Sequence, residues 1–307
     1  MTDLNTLSLP DLYTRLSADG LIARLFQLAH DEDLGPDNLD AATRALRIDD
    51  RPIETAIVAR SAGVASGLAA IDDLLDIFAP NAACHPLTAD ASPIEPGQTL
   101  ATLTGPAGEV LALERTLLNL IARLSGVATL TRQYVDAIVD APAQILDTRK
   151  TTPGWRALEK YAVRCGGGHC HRMGLYDAVL IKDNHLALAG KDSDLTETLG
   201  NAAVRAKESN SIAFVEVEVD TLDQLAQVLT IEPGLIDIAL LDNMPPAMLT
   251  KAVAMRNAKA PAMLLEASGG VTLQTIAAIA SAGVDRISVG ALTHQAVSLD
   301  IALDALL

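Results

Sequence analysis

The sequence predicts an α/β protein with an α+β N-terminal region and, after about Ala141, a parallel α/β barrel. Apolar strand-like runs alternate with amphipathic helical segments in the second half, and no such regular alternation precedes it. Short hairpin turns do not separate these runs, so neighbouring strands are expected to be parallel. Six such units in roughly 150 residues favour a closed barrel over an open sheet. No GxGxxG turn follows the first strand, which argues against a dinucleotide-binding fold.

The N-terminal region mixes helical and strand patterns without regular order. Apolar spacing predicts a helix from Leu21, a strand over 53–60, and helices over 69–78, 109–123 and 128–139. Gly126 is expected to end the fourth of these elements and so to separate the last two helices. We predict an N-terminal α/β domain over residues 1–117, joined by residues 298–307, and a barrel domain over 118–297.

The barrel region is predicted from its alternation of strands and helices. The strand-like runs cover 144–147, 178–182, 212–219, 236–242, 262–266 and 285–289. The intervening helices cover 154–164, 192–207, 222–229, 246–257 and 272–282. Asp220-Thr221 has the composition of a helix N-cap.

Composition limits the class of partner and the compartment. The formal net charge of −16 and pI of about 4.6 disfavour a nucleic-acid partner, which needs a basic surface. Three cysteines without a pairing pattern indicate a reducing compartment. The N-terminus lacks the basic and apolar regions of a signal peptide, and no apolar stretch is long enough to span a membrane. A cytoplasmic protein is therefore expected.

One basic stretch stands out in this acidic chain. The segment Thr148–Lys182, which we call the basic island, contains seven lysines and arginines against two acidic residues. Glycines 166–168 and apolar residues interrupt the charges, and Thr-Thr-Pro-Gly at 151–154 is typical of a fixed turn. A solvated basic face is the simpler interpretation of such a run. The interruptions favour a pocket for a small, highly charged anion instead.

Polar residues also gather where each predicted strand ends. Charged, amide or glycine residues follow six separate strands, at 147–150, 182–184, 216–218, 242–243, 266–270 and 288–290. In α/β barrels the active site is built at the carboxyl ends of the strands. A single carboxylate at such a position is as often a helix N-cap as a functional residue. Polar residues at the ends of all six strands favour an enzyme.

The residue types at these ends suggest two halves of a site. Arg149, Lys150, Arg172 and Lys182 suit phosphate or carboxylate groups. Glu218 and Asp242, on neighbouring strands, suit Mg²⁺ bound together with a diphosphate. Glycine-rich turns with helical patterns after them can bind anions through backbone amides, although plain turn geometry also explains the glycines. These turns are Ser268-Gly269-Gly270 and Val289-Gly290-Ala291.

A cysteine- and histidine-rich segment within the island invites a zinc interpretation. Cys165, His169, Cys170 and His171 fit no usual ligand spacing, and adjacent side chains cannot all face one ion. We expect His171 to donate a hydrogen bond to an anion and the cysteines to be packing residues.

Ten short motifs run through the chain from Glu114 to the C-terminus. They are GluArgThr at 114–116, LeuSerGly at 124–126, DTRKTTPG at 147–154, EKYAVRCGGG at 159–168, HRMGL at 171–175, LIKDNH at 180–185, EVEVD at 216–220, LLDN at 240–243, LEASGG at 265–270 and VGALTH at 289–294. In their residues and in their order, these motifs make the chain resemble the quinolinate phosphoribosyltransferase family, also called carboxylating nicotinate-nucleotide pyrophosphorylase.

The resemblance implies a reaction, a fold and an assembly. Quinolinate would react with 5-phosphoribosyl-1-pyrophosphate to give nicotinate mononucleotide, pyrophosphate and CO₂, as in de novo NAD biosynthesis. The fold would be an N-terminal α/β sandwich with a C-terminal seven-stranded α/β barrel resembling a TIM barrel. The protein would be a homodimer or a larger homo-oligomer.

The resemblance also assigns residues to each ligand. Quinolinate would be held by Arg149, His171 and Arg172, helped by Lys150 and Lys182. Arg115 would reach into the site of a partner subunit. Glu218 and Asp242 would hold the ribose hydroxyls and Mg²⁺, and Arg149, Lys150 and Lys182 would join them as catalytic residues. The 5′-phosphate would be held by Ser268, Gly269, Gly270, Gly290 and His294.

The chain departs from the family pattern at two places. Cys170 stands where the family usually has asparagine before the HisArg pair, and residues 36–50 lack the usual GlyAsp turn. Three other functions therefore stay open. They are a molybdenum-utilisation relative of the same fold with another acceptor, a catalytically inactive barrel that binds phosphorylated ligands, and a zinc hydrolase.

Overall fold

The fold is described from a computed structural model, which covers residues 3–189, 195–209 and 211–306. The chain forms two compact units. The antiparallel unit comprises residues 7–132, 151–167 and 292–306, and the parallel unit comprises residues 3–6, 133–150 and 168–291 in their described parts. The predicted boundary between residues 117 and 118 stays a prediction.

Strands and helices alternate more regularly in the second half of the chain than in the first. The first half contains α1 (Leu9–Ser17), α2 (Leu21–Leu34), α3 (Ala41–Leu46), β1 (Pro52–Ala59), β2 (Gly63–Val64), α4 (Ile71–Phe78), β3 (Ala83–Pro86), β4 (Pro93–Ile94), β5 (Thr99–Pro106) and α5 (Ala107–Asp136). The second half contains β6 (Gln144–Leu146), α6 (Arg156–Cys165), β7 (Val179–Ile181), α7 (Asp183–Ala189), α8 (Leu195–Lys207), β8 (Val215–Val219), α9 (Leu222–Val228), β9 (Ile238–Asp242), α10 (Pro246–Lys259), β10 (Leu264–Ser268), α11 (Ile276–Ser281), β11 (Arg286–Ser288), α12 (Ala291–His294) and β12 (Ile301–Ala305). Short 3₁₀ helices lie at Leu4–Thr6 and Leu68–Ala70.

The antiparallel unit is built on a four-stranded sheet in the order β12-β1-β5-β3. The C-terminal strand β12 pairs with β1, with Thr55 opposite Ala305 and Ala59 opposite Ile301. Ile57, Leu100 and Leu103 of this sheet are buried. Apolar residues of α4 and α5 are buried in the same unit, so the N-terminal half forms an α/β layer as predicted.

The prediction that Gly126 ends a helix is wrong. A single helix, α5, runs through this position without interruption. A Cβ placed on Gly126 would lie 2.1 Å from the carbonyl oxygen of Val297, so only glycine lets the two backbones approach this closely. Glycine at this helical position therefore reflects close packing and not a helix end.

The parallel unit contains a six-stranded sheet in the order β6-β11-β10-β9-β8-β7, in which every pair is parallel. Five of the six predicted runs contain one of these strands, and the run 262–266 overlaps β10, which extends two residues further to Ser268. Helices lie between the strands as predicted. A single parallel bridge joins Leu146 to His169, so the chain at His169 occupies a seventh position beside β6. The seven-stranded prediction thus corresponds to six strands and one bridge. The predicted helix over 192–207 begins at Leu195 in the structure, and residues 192–194 lie outside the described part of the chain.

Local capping explains two helix starts. Thr221 forms a capping box with Gln224 at the start of α9, which confirms the predicted cap. Ser8 caps α1 by accepting a hydrogen bond from the amide of Asp11, and Pro10 stands in the first turn. Among the described residues, no helix combines the length and apolar character that crossing a bilayer would require.

Candidate active site

One face of the parallel sheet carries two rows of polar side chains. Residues two apart on a strand share a face, so Glu216 and Glu218 point the same way from β8. The strand register places Glu218 opposite Leu240, Leu240 opposite Glu266, and Glu266 opposite Arg286. The side-chain contacts and the strand ends divide the polar residues of this face into two groups. The lower row is the contact group around His171, which contains Glu216, Glu266 and Arg286. The upper row is the group at or next to the carboxyl ends of β7 to β10, which contains Lys182, Glu218, Asp242 and Ser268.

The upper row lies at the carboxyl ends of the strands, where a barrel active site is expected. Lys182, just after β7, forms an ion pair with Glu218. Asp242 ends β9 directly opposite Ser268 at the end of β10, and it accepts a hydrogen bond from the side chain of Asn243 at 2.6 Å. Lys182, Glu218, Asp242 and Ser268 are partly exposed, so ligands can reach them.

Gly269 has a backbone geometry that only glycine accommodates readily. Its φ is +90°, and a Cβ at this position would lie 2.2 Å from the side-chain oxygen of Asn243. The amide of Asn243 also donates to the carbonyl of Ser268 at 2.9 Å. The turns after β9 and β10 are thus locked together. Gly290 immediately precedes the four-residue α12, whereas α11 begins six positions after Gly270, so a helix follows directly only at Gly290.

Two arginines of the basic island influence each other electrostatically. Arg149 and Lys150 are exposed just after β6, and the side chain of Arg172 is buried. Burial lowers the pKa of Arg172, and the positive charge of Arg149 lowers it further. The Arg172 guanidinium donates to the carbonyl of Ala178 at 3.0 Å. A bound anion offsets such repulsion between cations, so Arg149 and Arg172 are candidates for an anion site.

The HisArg loop, residues 170–177, is fixed through its backbone. The amide of His171 donates to the buried carboxylate of Asp147 at 2.8 Å. Asp177 accepts from the amides of Met173 at 2.6 Å and Gly174 at 2.8 Å. These carboxylates bind backbone donors that burial would otherwise leave unpaired. The loop is therefore held in one conformation by residues at both of its ends.

His171 lies at the centre of a buried charged cluster in the lower row. Its Nε2 lies 3.0 Å from Glu216 and 3.3 Å from Glu266, and both carboxylates are 0% exposed. Glu266 accepts in turn from Arg286 Nε at 2.7 Å. The amide of Arg172 donates to His171 Nδ1 at 2.8 Å. Because Nδ1 accepts this bond, the imidazole proton is on Nε2, facing the two carboxylates.

The ionisation of this cluster follows from burial and from the neighbouring charges. Burial, followed by repulsion from Glu266, raises the pKa of Glu216. Burial alone would raise the pKa of Glu266 too, but His171 and Arg286 outweigh it and lower that pKa to about 2. Burial lowers the pKa of His171, and the two carboxylates more than offset this, so that it rises to about 9. The cluster therefore keeps one proton more than its separated side chains would at neutral pH.

His171, Glu216 and Glu266 also form the one group of three or more metal-ligating side chains found in the described ranges, with ligand atoms within 4.8 Å of one another. A metal would need the lone pair of His171 Nε2. That nitrogen carries the proton, because Nδ1 already accepts the Arg172 amide. The arrangement therefore fits a hydrogen-bonded cluster and not a metal site.

Two predicted site residues belong to the antiparallel unit. Arg115 is exposed on α5 and borders a groove of about 380 Å³ between α2 and α5, lined also by Phe26, Asp33 and Trp155. His294 is exposed at the end of α12. In the same unit Glu159 is fully buried, accepts from Thr152 and pairs with Arg123, which fixes the predicted Thr-Thr-Pro-Gly turn.

Sequence reasoning misses the role of the lower row. It marks Glu216 and Glu266 only as strand-end residues and gives Arg286 no role. The signal is present in the alternation Val-Glu-Val-Glu-Val at 215–219, which places two glutamates on one face. The sequence alone does not show how many acidic residues share that face or that Arg286 lies beside them. Both depend on which residues of neighbouring strands lie opposite each other.

Family models match most of the chain. The model described as "Quinolinate phosphoribosyl transferase, C-terminal domain" matches residues 127–304, and the corresponding N-terminal domain model matches residues 40–125.

Curated relatives and solved structures agree with these matches. A probable nicotinate-nucleotide pyrophosphorylase [carboxylating] of Bacillus subtilis is 39% identical over 276 residues, which cover 90% of each chain. The nicotinate-nucleotide pyrophosphorylase [carboxylating] of Mycobacterium leprae is 48% identical over 215 residues, covering 70% of this chain and 72% of its own. The structure of the nicotinate-nucleotide pyrophosphorylase from Francisella tularensis superposes with a TM-score of 0.83 at 32% identity and full coverage of both chains.

Proposed function

Because the chain belongs to the quinolinate phosphoribosyltransferase family, we propose that it transfers phosphoribosyl from 5-phosphoribosyl-1-pyrophosphate to quinolinate. The products are nicotinate mononucleotide, pyrophosphate and CO₂. The observation that carries this proposal is the buried Arg172, whose guanidinium is held by the carbonyl of Ala178 at 3.0 Å and whose pKa is lowered by burial and by repulsion from the positive charge of Arg149. A dicarboxylate substrate relieves that repulsion and can accept forked hydrogen bonds from both groups.

The acid half of the proposed site contains Arg149, Lys150, Arg172 and Lys182. Arg172 is held by the carbonyl of Ala178, so its guanidinium is oriented before the substrate arrives. The sequence predicts that His171 donates directly to a substrate carboxylate. Both of its ring nitrogens face protein groups, and this supports a role in which it fixes the position of Arg172 through its bond to the Arg172 amide.

The sugar-phosphate half contains Glu218, Asp242 and the glycine turns. Glu218 and Asp242 share one face of the sheet and are partly exposed, as ligands of Mg²⁺ and of ribose hydroxyls need to be. Bound Mg²⁺ would neutralise charge on the diphosphate. The turns that would bind the 5′-phosphate contain Ser268, Gly269, Gly270 and Gly290, with His294 as a further candidate.

The bond changes need few proton transfers from the protein. The pyridine nitrogen of quinolinate uses its lone pair to form a bond to ribose C1, and the C1–oxygen bond breaks with its electron pair leaving on pyrophosphate. The carboxylate on C2 of the ring then leaves as CO₂, its electron pair stays on C2, and C2 takes a proton from solvent. Fixed cations stabilise the leaving diphosphate, and the Glu218 carboxylate favours the positive charge that develops on the sugar.

The assembly and compartment form part of the same proposal. Arg115 lies on an exposed helical surface beside a groove, which supports an arginine that acts in the site of a second subunit of a homodimer or larger homo-oligomer. The three cysteines, an odd number without a pairing pattern in the sequence, support a reducing, cytoplasmic environment.

Pyrophosphate release from purified protein tests the reaction. With Mg²⁺ and both substrates we expect stoichiometric pyrophosphate, CO₂ and nicotinate mononucleotide. Nicotinate, which lacks the second carboxylate, should be a poor substrate because it engages only part of the arginine pair. Absence of product with quinolinate, or equal rates with nicotinate, would rule the proposal out.

Mixing two inactive variants tests the role of Arg115. Arg115→Ala and Arg149→Ala should each abolish activity while the circular dichroism spectrum is retained. If Arg115 acts in a neighbouring subunit, mixed dimers contain one site with both arginines intact and regain up to about a quarter of wild-type activity after random exchange. Full subunit exchange without any recovery would contradict that role.

A further inference from the structure

We propose that Asn5, in the N-terminal segment, is a positioning residue for the HisArg loop and sets the affinity of the acid half of the site. This inference rests on the proposed function for the identity of the acid. It concerns a residue more than 160 positions away in sequence from the loop that it contacts. Neither the sequence motifs nor the reaction chemistry points to it.

The contact is a paired one. The side-chain oxygen of Asn5 accepts from the backbone amide of Cys170 at 2.7 Å, and the side-chain amide of Asn5 donates to the carbonyl of Cys170 at 3.0 Å. A carboxamide that satisfies the donor and the acceptor of one residue imitates a neighbouring β-strand. Cys170 is buried, with 5% of its surface exposed, so Asn5 binds groups that solvent reaches poorly.

The contact between Asn5 and Cys170 lies directly beside residues of the acid half of the site. Cys170 directly precedes His171 and Arg172. Asp147 fixes the amide of His171, and Asp177 fixes the far end of the loop. Asn5 fixes the near end. Without it, the backbone that carries Arg172 is less firmly restrained, and the guanidinium loses part of the orientation that its bond to the Ala178 carbonyl gives it.

The N-terminal segment has little else to contribute. The 3₁₀ helix Leu4–Thr6 contains no buried residue. Its other hydrogen bonds are local, since Asn5 N–H donates to the Asp3 side chain at 2.9 Å and the Thr6 hydroxyl donates to the Asp3 carbonyl at 2.8 Å. A segment without core residues contributes little to global stability. The contact with Cys170 is therefore expected to affect the loop much more than the fold.

The experiment compares Asn5→Ala with Thr6→Ala. Thr6→Ala removes a hydrogen bond from the same segment but leaves Cys170 untouched, so it is the matched control. In Asn5→Ala we expect KM for quinolinate to rise roughly tenfold, as for a buried amide that loses its partner. KM for 5-phosphoribosyl-1-pyrophosphate and the urea midpoint should stay close to wild type. Asn5→Asp keeps the acceptor for the Cys170 amide but loses the donor, and should fall between wild type and Asn5→Ala.

A second measurement does not depend on catalysis. Hydrogen–deuterium exchange in a peptide covering residues 168–175 should be faster in Asn5→Ala than in wild type or Thr6→Ala, without any substrate present. Unchanged exchange and unchanged KM for quinolinate in Asn5→Ala would overturn the proposal, as would an equal rise in both KM values. Faster exchange in a protein whose wild type does not use quinolinate would contradict the proposed reaction while leaving the positioning contact established.

Discussion

Glu216 and Glu266 both face the same nitrogen of His171, yet the structure predicts a much larger loss of stability from neutralising Glu266 than from neutralising Glu216. The substitutions Glu216→Gln and Glu266→Gln are isosteric and remove one charge each. Glu266 is paired with Arg286 and stays ionised, whereas Glu216 has a raised pKa and holds a proton readily. Glutamine resembles the protonated acid and not the carboxylate.

The magnitude for Glu266 follows from its pKa and its partner. Lowering that pKa from 4.5 to about 2 corresponds to about 3 kcal/mol of stability at neutral pH. Because the folded-state pKa is the lower one, this stability is present above pH 4.5 and is lost as the pH falls toward 2. Glu266→Gln also leaves the guanidinium of Arg286, whose side chain is 13% exposed, without its carboxylate, a loss of up to about 3–5 kcal/mol for a broken buried pair. Glu216→Gln should change stability by about 1 kcal/mol or less.

Urea unfolding at pH 7 and one fixed protein concentration, followed by circular dichroism, measures both variants. The double variant Glu266→Gln with Arg286→Met is the control, because it removes the stranded cation and should recover much of the lost stability. A loss in Glu216→Gln equal to or larger than that in Glu266→Gln would refute the inference that Glu266 carries the more stabilising charge. Failure of the double variant to recover would refute the role given to Arg286.

Three further predictions test other parts of the structure. Stability should fall between pH 6.5 and about 9, because the folded-state pKa of His171 is raised, and this fall should be absent in His171→Gln when unfolding is measured across that range. Gly126→Ala should destabilise by about 1–3 kcal/mol or more through its clash at 2.1 Å, whereas Gly200→Ala, in a helix with open space around it, should stabilise by about 0.5–1 kcal/mol in thermal unfolding. Asp242→Asn should raise KM for 5-phosphoribosyl-1-pyrophosphate and the Mg²⁺ concentration for half-maximal activity, with KM for quinolinate little changed in steady-state assays.

Much of the fold could be predicted because period-two alternation and short apolar runs in the sequence mark the positions of the strands. Five of the six parallel strands fall within a predicted run and β10 overlaps one, since most of them are apolar runs bounded by polar residues. Gly126 shows the limit of the same reasoning. Glycine near the end of a helical pattern usually marks a C-cap, but in this chain the constraint comes from Val297, far away in sequence. Helix α7 is not predicted because it begins directly after the strand-end residues, where a loop is expected.

The upper row could be predicted as polar strand ends, but its internal pairing could not. The sequence assigns Lys182 and Glu218 to different ligands, and the structure joins them in one ion pair. Asn5 carries no signal, because an asparagine near a chain terminus has many uses and its partner is a backbone group of Cys170. Contacts of this kind depend on where two distant segments meet and not on the type of either residue.

The basic island shows why the summed charge of a segment is a poor measure of a local field. Lys160 is fully buried in α6, and Arg156 and Arg164 donate to Thr151 and Leu7 within the antiparallel unit. Lys182 is paired with Glu218. The positive charge that can contact a ligand therefore comes from a few positions, which include Arg149 and Arg172. Because the carbonyl of Ala178 holds the Arg172 guanidinium, an anion gains from one cation that is already oriented, and its binding offsets the repulsion between Arg172 and Arg149.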